Sequence, residues 1–152
     1  MGAVVFAIKT SLSPDKVLSM LIDFSADRPQ VWPGLYKGAY KVYVLGDHSS
    51  EVREGSRAPK VWAREHYDWS RPGVVRWEVV DSNFCQVGGS VQVTVMADSP
   101  AGSRLVVEWD RSPKGVVGLM SALIVHATRG RPLRRSLELG LRKAEAKVAK
   151  TP

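Results

Sequence analysis

The sequence predicts an α+β fold in which a curved antiparallel sheet of six to seven strands wraps on a long C-terminal helix, with two short helices after the first strand. Segments with period-2 alternation of apolar side chains fill residues 39–111 and are separated by short turns. The longest helical pattern, residues 113–148, follows these segments. It is the only element large enough to cover the apolar face of such a sheet.

The N-terminal part of the chain supplies the first strand and the two short helices. Residues 3–11 alternate in the manner of a strand. Ser13 can cap the helix that follows, and Pro14 suits its first turn, so we expect a helix that runs to about residue 24. A second short helical turn is expected to start at Asp27.

Six further strands are expected, each bounded by glycine, proline or other turn-forming residues. Because short turns join consecutive strands, the strands should pair as an antiparallel meander. Their expected positions are residues 39–45, 49–54, 61–69, 74–81, 88–96 and 104–111.

The long C-terminal pattern changes character halfway. Its first half, residues 116–127, is almost entirely apolar, and we expect this half to face a cavity. Gly130 and Pro132 interrupt the pattern, and Pro132 should kink or break the helix because it lacks a backbone N–H. The second half carries leucines at helical spacing, which should pack on the sheet.

Size and composition bound the class of protein. At 152 residues the chain is expected to form one domain, residues 1–152. One cysteine excludes an internal disulfide framework, and three scattered histidines offer no metal motif, so we predict a cytoplasmic protein without cofactor or metal. The longest apolar run is too short for a transmembrane helix, which needs about 20 residues. A monomer and a homodimer are both compatible with the sequence.

Positive charge is concentrated at the C-terminus. The net charge is +7, and residues 126–152 carry eight Lys and Arg against two acidic residues, a net of +6. A solvated helix face, with cations near the negative end of the helix dipole, would explain this distribution. The alternative is a patch for acidic lipid, RNA or another anionic ligand.

Five short segments carry patterns of a known superfamily. They are a small-Pro-x-x-Val helix start at residues 13–17, an Asp, Pro and Trp region at 23–33, a Gly-x-Arg turn at 52–57, a Pro-to-Trp step at 71–77, and a closing Leu-rich helix at 133–145. With these segments the chain resembles the START-like, or SRPBCC, helix-grip superfamily, and within it the bacterial polyketide cyclase/dehydrase-like proteins. The resemblance implies a cavity between sheet and helix that binds or transforms small apolar molecules.

Aromatic and apolar side chains are the candidate ligand contacts. Trp77 and Trp109 fall among the apolar residues of their strands and should point inward, either as core or as a cavity wall. Trp32 and Tyr36 lie between the short helices and the second strand, where such folds have an opening. The full predicted set is Trp32, Tyr36, Tyr67, Trp77, Trp109, Met120, Ile124 and His126.

The inward face of the strand at 61–69 depends on the turn that follows it. A three-residue turn pairs Tyr67 with Trp77 and points Tyr67 and Glu65 inward. A two- or four-residue turn exchanges the faces, and Arg64 and His66 would then offer the pocket a basic pair suited to an enolate or carboxylate. We expect Tyr67 to point inward, because burying Arg64 without a partner is costly.

Three functions follow from these patterns. The first is binding of a small hydrophobic molecule, a lipid, polyketide or aromatic, and it is preferred because the sequence shows no nucleophile motif or paired base. The second is an enzyme of the polyketide cyclase/dehydratase type, with Tyr67 or His126 as the acid or base. The third is an RNA- or ribosome-associated protein that uses the basic C-terminal helix, although that helix lacks a nearby aromatic platform for bases.

Overall fold

The period-2 segments form one antiparallel sheet in a computed structural model that describes residues 2–98 and 100–150. A short 3₁₀ turn at Lys37–Ala39 precedes the second strand. The helices and strands in chain order are β1 (Val4–Thr10), α1 (Pro14–Leu21), α2 (Arg28–Val31), β2 (Lys41–Leu45), β3 (Ser49–Ser56), β4 (Val61–Asp68), β5 (Val74–Ser82), β6 (Ser90–Asp98), β7 (Gly102–Asp110), α3 (Gly115–Ala127) and α4 (Arg131–Ala149).

The seven strands follow the order β1-β7-β6-β5-β4-β3-β2. Strands β2 to β7 form the expected meander, and β1 pairs antiparallel with β7, with Phe6 opposite Val107. Helix α1 packs against β6 and β7, α4 packs against β1, and α2 packs against α4. The predicted α+β fold, with two short helices after the first strand and a long C-terminal helix, is therefore confirmed. Strands β6 and β7 extend closer to their hairpin than expected, since Asp98 pairs with Gly102, and Ser99 lies outside the described residues.

Strand β4 takes the preferred register. Tyr67 pairs with Trp77 and is 2% exposed, and Glu65 is buried on the same face. Arg64 faces outward and is paired with Glu51 at 2.5 Å. The alternative in which Arg64 and His66 enter the pocket is wrong, because the three-residue turn fixes the alternation and Arg64 keeps solvent and a partner.

The predicted break in the C-terminal helix is confirmed at the junction of α3 and α4. Arg129 and Gly130 adopt left-handed backbone conformations, with φ of 54° and 78°, and Pro132 occupies the first turn of α4. A left-handed residue ends a helix, and Pro is well tolerated in the first turn of the next one. The chain therefore forms two helices with different surroundings.

Helix α3 does not face the cavity, which corrects the expectation for residues 116–127. Its buried residues are Gly118, Ala122 and Val125, whereas Met120 and Ile124 are 59% and 52% exposed. The physical reason is the break at Gly130, which separates the two helices. Of these two, α4 packs against the sheet, whereas α3 packs against α4 and buries only small residues and Val125. Among the described residues, no helix combines the length and hydropathy needed to cross a bilayer.

Candidate functional site

A cavity of about 470 Å³ lies between the inner face of the sheet and α4. Strands β3 to β7 supply one wall, and the first turns of α4 supply the other. Most of the lining is apolar, including Trp32, Leu35, Trp77, Phe84, Leu133 and Leu137. The polar lining is formed by Arg28, Glu54, Glu65, Tyr67 and Arg111, together with Ser56 and Ser136. The cavity is thus an apolar chamber that contains a small number of charged groups.

The first polar cluster joins Arg28, Glu54 and Tyr67. Arg28 Nε donates to Glu54 Oε2 at 2.9 Å, and Arg28 Nη2 lies 3.4 Å from the Tyr67 hydroxyl. The Tyr67 hydroxyl in turn donates to Glu54 Oε1 in a short hydrogen bond. Arg28 Nη1 also donates to the carbonyl oxygens of Leu21 and Asp23, each at 3.0 Å. The guanidinium therefore has a partner for most of its donors, as a buried charge requires.

Local sequence explains how the cluster is assembled. On β3, Val52 and Glu54 share the inward face, and on β4, Glu65 and Tyr67 do so. Arg28 is the first residue of α2, and its guanidinium lies 4.5 Å from the ring centroid of Phe24. Adjacent inward positions of two neighbouring strands are thus brought together with a cation from the preceding helical segment.

The second polar pair is formed by Glu65 and Arg111. Arg111 Nη2 donates to Glu65 Oε1 in a short, largely buried contact. Burial raises the pKa of Glu65 from an ordinary 4.5 to about 7, Arg111 opposes that rise, and Glu54 adds to it. Near neutral pH, the Glu65 carboxyl can therefore hold or release a proton inside the cavity.

Within the first cluster, the neighbouring groups change the pKa values of both Arg28 and Tyr67. Burial alone would lower the pKa of Arg28, but the carboxylate of Glu54 and the Tyr67 hydroxyl raise it above its ordinary value. Burial and the Glu54 charge raise the pKa of Tyr67 well above its ordinary value. Tyr67 thus stays a neutral phenol, and its hydroxyl proton is donated in the hydrogen bond to Glu54.

Two N–H donors on lining residues are buried without a partner within residues 2–98 and 100–150. They are Trp32 Nε1 and Arg111 Nε. Buried donors normally have a hydrogen-bond partner, and each exception calls for an explanation such as a water molecule or a ligand atom. Both nitrogens are enclosed by protein atoms, so an acceptor oxygen in the cavity would reach them only after a neighbouring side chain moved.

The structure brings together three of the eight predicted ligand contacts. Trp32, Tyr67 and Trp77 line the cavity, and the rings of Tyr67 and Trp77 stack with centroids 5.1 Å apart. Tyr36, by contrast, is 41% exposed, with the Arg57 guanidinium 5.9 Å from its ring centroid. The ligand-binding role of the three lining residues stays a prediction.

The other predicted contacts lie elsewhere. Trp109 is buried, and its ring meets the half-buried ring of His126 edge to face at 5.6 Å, at the contact between the sheet and α3. Neither residue lines the main cavity, because α3 packs beside the sheet end rather than across it. Met120 and Ile124 are exposed on α3 for the same reason. Trp109 is thus part of the core, one of the two roles expected for it, whereas the expected placement of Met120, Ile124 and His126 in the wall of this cavity is wrong.

Sequence reasoning missed Arg28, Glu54 and Arg111 as site residues. A signal existed for two of them, since Glu54 is two residues from the inward Val52 and Arg111 is two residues from the inward Trp109. A charged residue at an inward strand position indicates a functional or paired group. Arg28 carries no comparable signal, because it enters the site from a short helix whose direction is set by tertiary packing.

The basic residues of α4 form a separate surface feature. A shallow groove along the helix is lined by Arg131, Arg134, Arg135, Glu138, Leu139 and Arg142. The side chain of Arg134 also lies over the ring of Phe6, at 5.3 Å. This groove is distinct from the cavity, and its use for RNA stays a prediction.

Comparison with known proteins identifies the fold. No protein-family model matches the chain, and a comparison with curated proteins finds no match. Among solved structures, the ZhuI aromatase/cyclase of a Streptomyces species is similar with a TM-score of 0.79 and 14% identity, over 96% of this chain and 94% of that one. A START superfamily protein of Mycobacterium smegmatis gives 0.72 and 14%, over 95% and 99% of the two chains.

A third similar structure is norcoclaurine synthase of Thalictrum flavum in complex with dopamine and hydroxybenzaldehyde. Its TM-score is 0.66 at 8% identity, over 95% of this chain and 86% of that one. Identities this low establish the fold alone. The chain has a START-like, or SRPBCC, helix-grip fold.

Proposed function

We propose that the cavity binds a small, mainly apolar molecule with an oxygen-bearing polar end, of the lipid, polyketide or aromatic class. The observation that carries the proposal is an aromatic-lined chamber of about 470 Å³ that holds two buried ion pairs. Small-molecule sites commonly have volumes of about 300–1,000 Å³, with apolar walls and a few oriented polar groups. The chamber matches that description in size and in chemistry.

The wall favours a ligand with a flat, apolar part. Trp77 stacks against Tyr67 and is half-buried, so one side of its indole is available to the cavity. Trp32 and Phe84 add further aromatic surface. Flat apolar molecules gain most from such walls, because aromatic rings bring large contact areas with little conformational freedom to lose. Two of the similar structures, the aromatase/cyclase and the synthase with dopamine and hydroxybenzaldehyde, are consistent with this class.

The polar groups favour an oxygen on the ligand rather than a free charge. Glu54 neutralises the guanidinium of Arg28, and Glu65 neutralises that of Arg111 whenever its carboxyl is ionised. A neutral carbonyl or hydroxyl oxygen adds no charge to either pair, and it would accept from Trp32 Nε1 or Arg111 Nε once the atoms that enclose these nitrogens moved aside. A second anion would have to compete with a buried carboxylate.

Filling the cavity should abolish binding without unfolding the protein. Ala63 is buried and points into the cavity from β4, so Ala63→Phe places a ring where the ligand would lie. Ala97 is an exposed residue of β6, and Ala97→Phe is the matched control. In titrations with a fluorescent naphthalene probe, competed by fatty acids and aromatic ketones, we expect Ala63→Phe to weaken binding about tenfold or more.

Thermal unfolding of both variants verifies that they fold. Equal affinity of Ala63→Phe and Ala97→Phe for the probe would remove the cavity as the binding site. A competitor that displaces the probe from the wild type would also indicate the ligand class.

A second candidate function is acid–base catalysis of the cyclase or dehydratase type, and one observation favours it. Glu65 lies inside the cavity with a pKa of about 7, and a general acid or base is most effective when its pKa is near the working pH. Among the sequence candidates, Tyr67 commits its proton to Glu54, and His126 lies outside the cavity lining. If the protein is such an enzyme, Glu65 is therefore the group that we assign to proton transfer.

Turnover of a panel of small poly-ketone substrates tests the catalytic reading. We expect Glu65→Gln to lower kcat by about 10²–10⁴, and the wild-type rate to change with pH around an inflection near 7. Glu51→Gln on the outer side of β3 is the matched control and should leave the rate unchanged. Equal rates for Glu65→Gln and the wild type would exclude this role for Glu65.

A further inference from the structure

Helix α3 presents an apolar surface that no described part of the chain covers. Val116 is 75% exposed, Met120 is 59% exposed and Leu123 is 52% exposed. The exposed large apolar residues of this helix are Val116, Val117, Leu119, Met120, Leu123 and Ile124. Single exposed apolar residues need no explanation, but a contiguous patch of this kind marks an interaction surface.

Helix α3 packs against the rest of the protein through a narrow strip of mostly small residues. Gly118, Ala122 and Val125 are its buried residues, and they recur at helical spacing. At Gly118 the helix approaches so closely that an added Cβ would lie 2.1 Å from the carbonyl oxygen of Phe84. The orientation of α3 is therefore fixed by close packing, and its apolar side faces outward as a consequence.

The charged residues that flank α3 in the sequence are positive. No Asp or Glu occurs between Arg111 and Glu138 in the sequence. Just past the C-terminal end of α3, Arg129, Arg131 and Arg135 are all exposed. The apolar helix is thus followed directly by cations, and the first acidic residue after it is Glu138, three residues beyond Arg135.

We infer that α3 docks on an anionic lipid surface, with its exposed apolar side inserted at the boundary between headgroups and acyl chains. At 13 residues α3 is too short to cross a bilayer, so it would lie in the plane of the interface. Apolar side chains enter the acyl boundary, while neighbouring arginines are attracted by the negative surface potential. Insertion of apolar side chains and attraction of arginines both favour binding only when the partner surface is both apolar and anionic.

A second copy of the chain is the less favourable occupant. A twofold interface places the same patch of each subunit against its counterpart. A parallel pair of α3 helices would bring the arginines that follow α3 toward one another, and an antiparallel pair would bring them toward Lys114, the cation that precedes α3. Like charges that face each other across an interface oppose association.

The docking surface is close in sequence to the cavity wall. Pro132 and Leu133, which line the cavity, follow α3 after only the short junction at 128–130 and the first residue of α4. The inference stands on the surface of α3 and does not depend on which ligand the cavity binds. Failure of lipid docking would leave the cavity proposal unaffected.

Vesicle flotation of the full chain tests the inference. Wild-type protein should bind vesicles of phosphatidylcholine containing phosphatidylglycerol and should bind pure phosphatidylcholine vesicles more weakly. We expect the double variant Met120→Ser and Leu123→Ser to bind the anionic vesicles about tenfold or more weakly. The matched control is Leu45→Ser with Val87→Ser, whose parent residues are 63% and 70% exposed elsewhere, and it should bind as the wild type does.

Two further measurements complete the test: vesicle binding of a variant that lacks two arginines, and the oligomeric state of the protein in solution. Arg129→Gln with Arg131→Gln should reduce binding to anionic vesicles to the level seen with neutral ones. Absence of wild-type binding to both vesicle types would overturn the inference, and so would equal losses in the α3 and control variants. A dimer in solution that the α3 variant converts to a monomer would also overturn it, by assigning the surface to a second copy.

Discussion

Replacing Arg28 with methionine will lower the free energy of unfolding by about 3–5 kcal/mol, because it leaves the carboxylate of Glu54 buried without its cation. The side chains of Arg28 and Glu54 are 6% and 8% exposed, so water cannot take the place of the lost partner. Arg28→Met also removes the donors to the carbonyl oxygens of Leu21 and Asp23. Urea unfolding monitored by tryptophan fluorescence measures the change.

Two controls separate burial from the loss of an arginine. Arg76→Ala breaks an exposed pair with Glu78 at 3.7 Å and should cost about 0–1 kcal/mol. Arg28→Met combined with Glu54→Met leaves no unpaired charge, so the double variant should be more stable than Arg28→Met alone. A loss for Arg28→Met no larger than that for Arg76→Ala would contradict the account of this cluster.

The stability of the wild type relative to Glu65→Gln will fall by about 3 kcal/mol between pH 4.5 and pH 7. The pKa of Glu65 is about 7 in the folded protein against an ordinary 4.5, so the folded state binds more protons in this range. Stability contributed by the protonated carboxyl is therefore complete below pH 4.5 and is lost as the pH rises toward 7. Urea unfolding of both proteins across this range measures the difference.

Arg111 provides the internal check on that pH dependence. Its positive charge lowers the pKa of Glu65, so Arg111→Met should raise that pKa further and extend the loss of stability to higher pH. Parallel curves of stability against pH for the wild type and Glu65→Gln would show that Glu65 titrates alike in the folded and unfolded chains. That result would also remove the basis for Glu65 as an acid or base in the cavity.

The sheet could be predicted from the sequence because its strands obey a simple alternation. Strands β3, β4, β6 and β7 bury alternate residues over most of their length, although β2 buries none. Short turns of glycine and proline separate the strands, so period and pairing agree. The register of β4 against β5 followed from the length of one turn and the cost of burying Arg64. The break at Gly130 followed from the chemistry of proline and glycine.

The polar site could be predicted only in part. Tyr67, Trp77 and Glu65 were placed inward from strand alternation, since that property is local. The pairing of Glu54 with Arg28 depends on where α2 lies over the sheet, and no local pattern encodes that position. Arg111 pairs with Glu65 across the sheet, from the end of β7, and such a contact depends on the curvature of the whole fold.

The error on α3 has a single physical cause. A helix that is apolar on nearly all sides is normally buried, so residues 116–127 were expected to line the cavity. The left-handed turn at Arg129 and Gly130 instead separates this helix from α4 and leaves most of its apolar side exposed. An apolar helix that the fold does not bury calls for an occupant, and the lipid surface proposed above supplies one.

Native mass spectrometry of the purified protein, before and after extraction with organic solvent, tests the central claim most directly. We expect that the wild type carries or takes up a small apolar molecule, that extraction removes it, and that Ala63→Phe neither carries nor regains it. Ala97→Phe should behave as the wild type does. The absence of any bound or bindable apolar molecule in the wild type, with spectra indistinguishable from those of Ala63→Phe, would contradict the account.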